Sequence, residues 1–353
     1  MDFASHQPPE RRQSRPGSLY KSNFLSLFST LVDFLKPSAQ LDPAIIDALD
    51  RISTLVDPML KLAPDFEKQL AFPLQYALGY CDGLTAALPG PIDINRRSFS
   101  TDPLVHALFA TADDIAQMLG RSQDIRDFLA TPEGLDNEHF YALFAARRMQ
   151  KKQLGMAQHG DIIQNDVPQL IVFFSSQTLV EPSADLETTL AKIRSRGLES
   201  LLHTFHDHVE TLRNERNGLR ADISVERAHH TTLRGTTPGR EYEVGTRHLV
   251  ELDARLRKDT ELLMPDQLIK ALADFLQHPE PALHLQPVSI TIDRLGVVHD
   301  ESSDDININT LSFPELSGRD KRLYLAMLAR FSRDEALEAV EMVRDQQHRF
   351  MLI

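Results

Sequence analysis

The stretch HTFHDHVE places His203, His206, Asp207 and Glu210 at steps of three and four. On a helix their side chains would share one face. Imidazole together with carboxylate is a donor set that zinc or a di-metal centre can use. With His203, His206 and Glu210 as ligands, it would suit a metal-dependent hydrolase. The order departs from the zincin pattern, in which Glu follows the first His directly and a second His stands four residues on. A solvated polar face opposite Leu202, Phe205 and Val209 is the simpler reading.

Other candidate chemistry is sparser. His229 and His230, with Arg227, Arg234 and Arg240, form a mildly basic group diluted by Glu226, Glu241 and Glu243. It could grip a phosphate or an acidic partner, but a solvated cluster is simpler. Asp300, Glu301, Asp304 and Asp305 lack the spacing of a calcium loop. Arg147 and Arg148 ahead of a β segment, with Asp166 beyond, share an order with the cyclic-dinucleotide-binding PilZ barrel. The Ser and Gly of that pattern are missing from Asp166-Val167-Pro168-Gln169, so the resemblance fails. Cys81 is the single cysteine and sits in an apolar stretch, as a packing residue would. The chain has no phosphate-binding glycine loop, nucleophile elbow, C-x-x-C or dinucleotide turn. No motif implies a cofactor or a specific small molecule.

Composition narrows the partners. Thirty-eight basic against 51 acidic side chains leave a formal charge of −13, which works against general affinity for phosphate backbones or anionic lipid. With no Trp and 7% aromatics, stacking platforms for bases are few. No apolar run reaches the ~18 residues that a membrane span needs. The run from Phe24 to Leu35 is interrupted by Asp33, so neither membrane insertion nor secretion is expected, and the assigned location is cytoplasmic.

Residues 1–18 carry Pro, Arg and small polar residues and read as a disordered tail. From 19 to 150 the punctuation is that of a helical domain. Asp42-Pro43, Asp57-Pro58 and Asp102-Pro103 each offer a cap followed by a proline at the first helical position. Thr111 and Asp114 resemble a capping box. Pro73 is expected to kink or split a helix over 65–81. Residues 151–182 turn β-rich, notably QLIVFFSS, and Val288, Ile290 and Ile292 alternate. The chain then closes in helices.

Between the β segments, Leu202, Phe205, Val209, Leu212, Leu219 and Ile223 step by three and four. Tyr242, Leu249, Leu256 and Leu263 recur every seven, and Gly235 to Gly239 cannot continue a helix. Folding back near residue 237 sets Leu219 against Leu256 and Leu202 against Leu272, with bends at Gly197, Gly218 or Pro265. It also returns Val288 toward Val180, so both β segments should form one sheet. The hairpin would then be a stalk of ~70 Å, removable between residues 198 and 275. Packing of these helices into a compact bundle is the alternative.

The fold expected is α+β, predominantly α. A helical domain (19–150) precedes a small, mainly antiparallel sheet module (151–182 plus 286–353) with C-terminal helices. A coiled-coil-like helical hairpin (183–285) is inserted into that module. The function expected is non-enzymatic: an interaction or scaffold protein that binds a protein partner, or itself, through the hairpin. The alternatives are the metal-dependent hydrolase at 203–210 and a nucleic-acid contact through the hairpin tip.

Overall fold

The computed structural model describes residues 42–159, 162–234, 239–299 and 308–351. The expected tail, the Gly235–Pro238 apex and the acidic loop from Asp300 lie outside the described residues. The fold is α+β and mainly helical, with an antiparallel sheet interrupted by a long helical hairpin.

All three Asp-Pro pairs stand at helix starts. α1 (Pro43–Leu55) opens at Pro43 and buries Ile45, Leu49 and Ile52. The Asp57 carboxylate accepts from Met59 N ahead of a 3-10 turn (Pro58–Leu62). α2 (Phe66–Ala86) runs unbroken through a buried Pro73. The kink expected there is not a break, because the apolar neighbours on either side hold both halves of the helix in one core. After the short β1 (Ile92–Asp93) come α3 (Arg96–Thr101), α4 (Pro103–Leu108), α5 (Ala112–Arg121), α6 (Gln123–Leu129) and α7 (Pro132–Asp136). Asp102 caps α4, and the Thr111–Asp114 box opens α5.

The sheet departs from expectation in two strands. β2 (His139–His159) begins well before Lys151, and β6 (Leu323–Ser332) replaces an expected helix. Phe140, Ala142, Phe144 and Ala146 alternate inward, but Ala, Leu and Arg are helix formers, and pairing with two neighbours overrides that bias. β6 is a central strand in which Leu325 to Ala329 are all buried. With apolar groups on both faces it shows no period of two.

The strand order is β3 (Ile162–Ser183), β2, β6, β5 (Asn309–Ser317), β4 (His284–Ile292), with β1 parallel to β6. Both β segments therefore share one sheet, meeting where β2 pairs with β6, and the strands that flank the hairpin, β3 and β4, lie at opposite edges of the sheet. The turn after β4 ties those edges together: Val172 N donates to Gly296 O and Val298 N to Leu170 O, each at 2.8 Å. Gly296 sits at φ +81°, and a Cβ there would lie 2.3 Å from Val172 O, so glycine is required. Inside, Phe140, Phe144, Phe174, Phe313 and Phe331 form the first core, covered by α4–α6 and by α11 (Arg333–Met351). Within it Glu315, 1% exposed, accepts from Arg148 Nε at 2.6 Å and Nη2 at 3.2 Å. This bond crosses from β2 to β5 over the intervening β6.

α8 (Leu186–Arg234) is one helix of 49 residues, continuous through Gly197 and Gly218. The return leg breaks at Pro265 into α9 (Arg240–Leu262) and α10 (Pro265–Gln277). Proline fits the first turn of α10, where no N–H is missed. A second core joins α1, the 3-10 turn and α2 to the lower half of the hairpin. Leu201, Leu202, Phe205 and Val209 of α8 meet Leu268, Ile269, Leu272 and Leu276 of α10 there. The compact-bundle alternative thus describes the lower half of the hairpin, and the stalk describes the upper half.

Candidate interaction surface

Above Val209 on α8 and Leu263 on the return leg, the body's core ends. What holds the upper hairpin is a third, small cluster: Leu219, Ile223 and Leu252, with Leu249 and Leu256 against it. The contacts set the register. Arg227 bonds Asp253 at 3.0 and 3.2 Å, His230 Nε2 lies 2.9 Å from Thr246 Oγ1, and the His230 ring rests 4.1 Å from that of Tyr242. These pairs bracket a residue sum near 474, the reversal expected from the heptads.

From Arg213 to Arg234 the upper α8 spans roughly 30 Å at ~1.5 Å per residue. Residues 214–262 hold nine basic and nine acidic side chains, so the −13 of the whole chain resides elsewhere. In an antiparallel pair, residues that follow a seam position lie on the same flank of both helices. Arg220 follows Leu219 and Arg257 follows Leu256, on the flank that carries the Arg227–Asp253 bridge. Both are exposed, and neither has an acidic partner among the described residues. Asp222 precedes Ile223 and falls on the other flank, while Glu226 is half-buried at a seam position facing Gly245. Val225, Val244 and Val250 are exposed along the same helices. Only the end of the body's core shows that they belong to a segment with two uncovered flanks.

Two of the proposed metal ligands bond protein groups, and His203 is half-buried. His206 Nδ1 lies 3.0 Å from Val56 O, Glu210 accepts from Arg213 at 2.5 Å, and Arg213 also bonds buried Asp57. Asp207 is bound by Arg319 at 2.5 and 2.8 Å. These residues fasten α8 to the 3-10 turn and to the segment after β5. Among the described residues, no three His, Cys, Asp or Glu side chains are grouped to hold a metal ion. At the upper end, His230 belongs to the seam and His229 is exposed. The side chains of Arg234 and Arg240 lie outside the described residues. Arg148 is committed to Glu315, and Asp166 is exposed at φ +61°. Cys81 is buried, and burial pushes its thiol up to about 12, so it stays protonated and packs. No described helix is long and apolar enough to cross a membrane.

No family model, curated protein or solved structure matches this chain.

Proposed function

We propose that this chain is a cytoplasmic, non-enzymatic interaction protein whose upper hairpin receives a helix of a protein partner. The observation that supports it is the division of the hairpin. Its lower half is core, while its upper half adds about 50 residues whose burial ends at a cluster of three. Those residues contribute nothing to the body's cores, and what they add is a long surface with two uncovered flanks. Charge names the partner's character: Arg220 and Arg257 on one flank favour a helix carrying Asp or Glu at i, i+4 spacing. A buried thiol that needs no oxidising compartment agrees with the cytoplasmic assignment.

The test replaces residues 214–262 by a short glycine-rich linker, keeping Arg213 and Leu263. Affinity capture from native cells would then compare this variant, the Arg220→Glu/Arg257→Glu double variant and the wild type. One protein retained by wild type and lost by both variants, with the thermal melts of the body unchanged, is the expected result. Identical partner sets for all three would sink the proposal.

A further inference from the structure

A cavity of about 240 Å³ lies where the helical layer meets the outer face of the sheet. Leu143 of β2, Val180 of β3, Ile193 of α8 and Leu285 of β4 converge on it, and none of them belongs to any of the three cores. Leu84 and Leu316 complete an almost wholly apolar wall. Polar groups appear at the rim. Arg196 pairs with Glu181 at 2.8 Å and Glu199 at 3.1 Å, and Tyr324 donates to Asp320 at 2.9 Å. Large aliphatic side chains left out of every core, and turned onto a shared space, mark a pocket shaped for an apolar occupant.

We infer that this cavity binds a small aliphatic molecule with an uncharged polar end, such as a medium-chain alcohol. The volume holds a chain of about eight carbons, each taking roughly the space of one water at about 30 Å³. The rim selects the head. Arg196 is the one cation among the described residues lining the cavity and is already paired with Glu181 and Glu199, so an ionised carboxylate head would have to compete with them for it. A hydroxyl can donate to either carboxylate and needs no cation to offset it.

Gly318 supplies the means of closing the site. A Cβ there would meet Leu283 Cδ1 at 3.6 Å and Ser200 Oγ at 3.8 Å, ordinary contacts, so a larger side chain can grow into the pocket. The experiment is calorimetric titration of the full-length protein with 1-octanol, octanoate and 1-dodecanol, repeated on Gly318→Leu. Saturable octanol binding is expected with a negative heat-capacity change. Octanoate should bind at least about tenfold more weakly, and dodecanol should gain nothing over octanol. Gly318→Leu should lose octanol binding and melt at a higher temperature than the unliganded wild type. If that variant does not fold, Leu84→Phe is read in the same way. The inference is overturned by any of three results: no saturable octanol binding to folded wild type, octanoate binding as tightly as octanol, or a filled variant that binds like wild type.

Discussion

Leu272→Ala and Leu252→Ala remove the same three carbons, yet they should unfold different amounts of protein. The transfer term is about 2.4 kcal/mol for each, at ~0.8 kcal/mol per methylene. Leu272 is fully buried among α1, α2, α8 and α10, where surrounding helices cannot collapse onto the gap. A cavity penalty therefore adds to the transfer term, for a total of about 3–4 kcal/mol on global stability. Leu252 is 6% exposed and shares its cluster with Leu219, Ile223, Leu249 and Leu256 alone. Its full cost falls on the upper hairpin, which opens locally without the body. Urea unfolding followed by circular dichroism should show a lower main midpoint for Leu272→Ala. For Leu252→Ala the main midpoint should stay close to wild type. Hydrogen exchange by mass spectrometry should then show faster exchange across 214–262 in Leu252→Ala, with α1, α2 and α10 unchanged. Equal displacement of the main transition by the two variants would refute the division of the hairpin into core and free halves.

Three further outcomes are expected. In a Cys81→Ser background, cysteines at 219 and 256 should crosslink within one chain under mild oxidation, whereas 219 with 242 should not; gel mobility under non-reducing conditions reads this directly. Glu315→Gln leaves Arg148 without its carboxylate in the first core and should cost about 3 kcal/mol in denaturant titrations, and a loss below ~1 kcal/mol would show that the pair is idle. Arg330, bonded at 2.5 and 2.8 Å, holds the Asp93 carboxyl below its ordinary range. A depressed folded-state value means that the pair stabilises above about pH 4 and loses that contribution as pH falls through the folded value. Both groups are nearly half exposed, so the effect is small. Asp93→Asn should melt below wild type at neutral pH and converge with it in acid, and a constant difference down to pH 2 would contradict the assignment.

The removal of residues 198–275 suggested by the heptads would take out Leu198, Leu201, Leu202, Phe205, Val209, Leu268, Ile269 and Leu272, eight of the 22 buried apolar residues of the second core. The sequence cannot reveal this, because a seam leucine looks the same whether its helix pair stands in water or has α1 and α2 packed against it. The reversal near residue 237 was legible for the opposite reason. It depends on a repeat of seven and a run of residues unable to stay helical, both local properties. So were the Asp-Pro starts and the Thr111–Asp114 box, where one side chain and the next few N–H groups settle the matter. β6 and the first half of β2 were misread because their partners are distant: 139–146 pairs with 325–332, and only that pairing turns a helix-forming composition into strand. The candidate metal face was legible as a pattern, whereas the partners its members take, Val56 and Arg319 from distant segments and Arg213 three residues on, emerge only in the fold. What the sequence determined by itself is the periodic skeleton: where helices start, where the hairpin turns and which face of it is apolar. Which helices share a core, which strands lie adjacent and which flank stays uncovered were decided by contacts between residues far apart in the chain, because burial belongs to the assembled fold and to no segment alone.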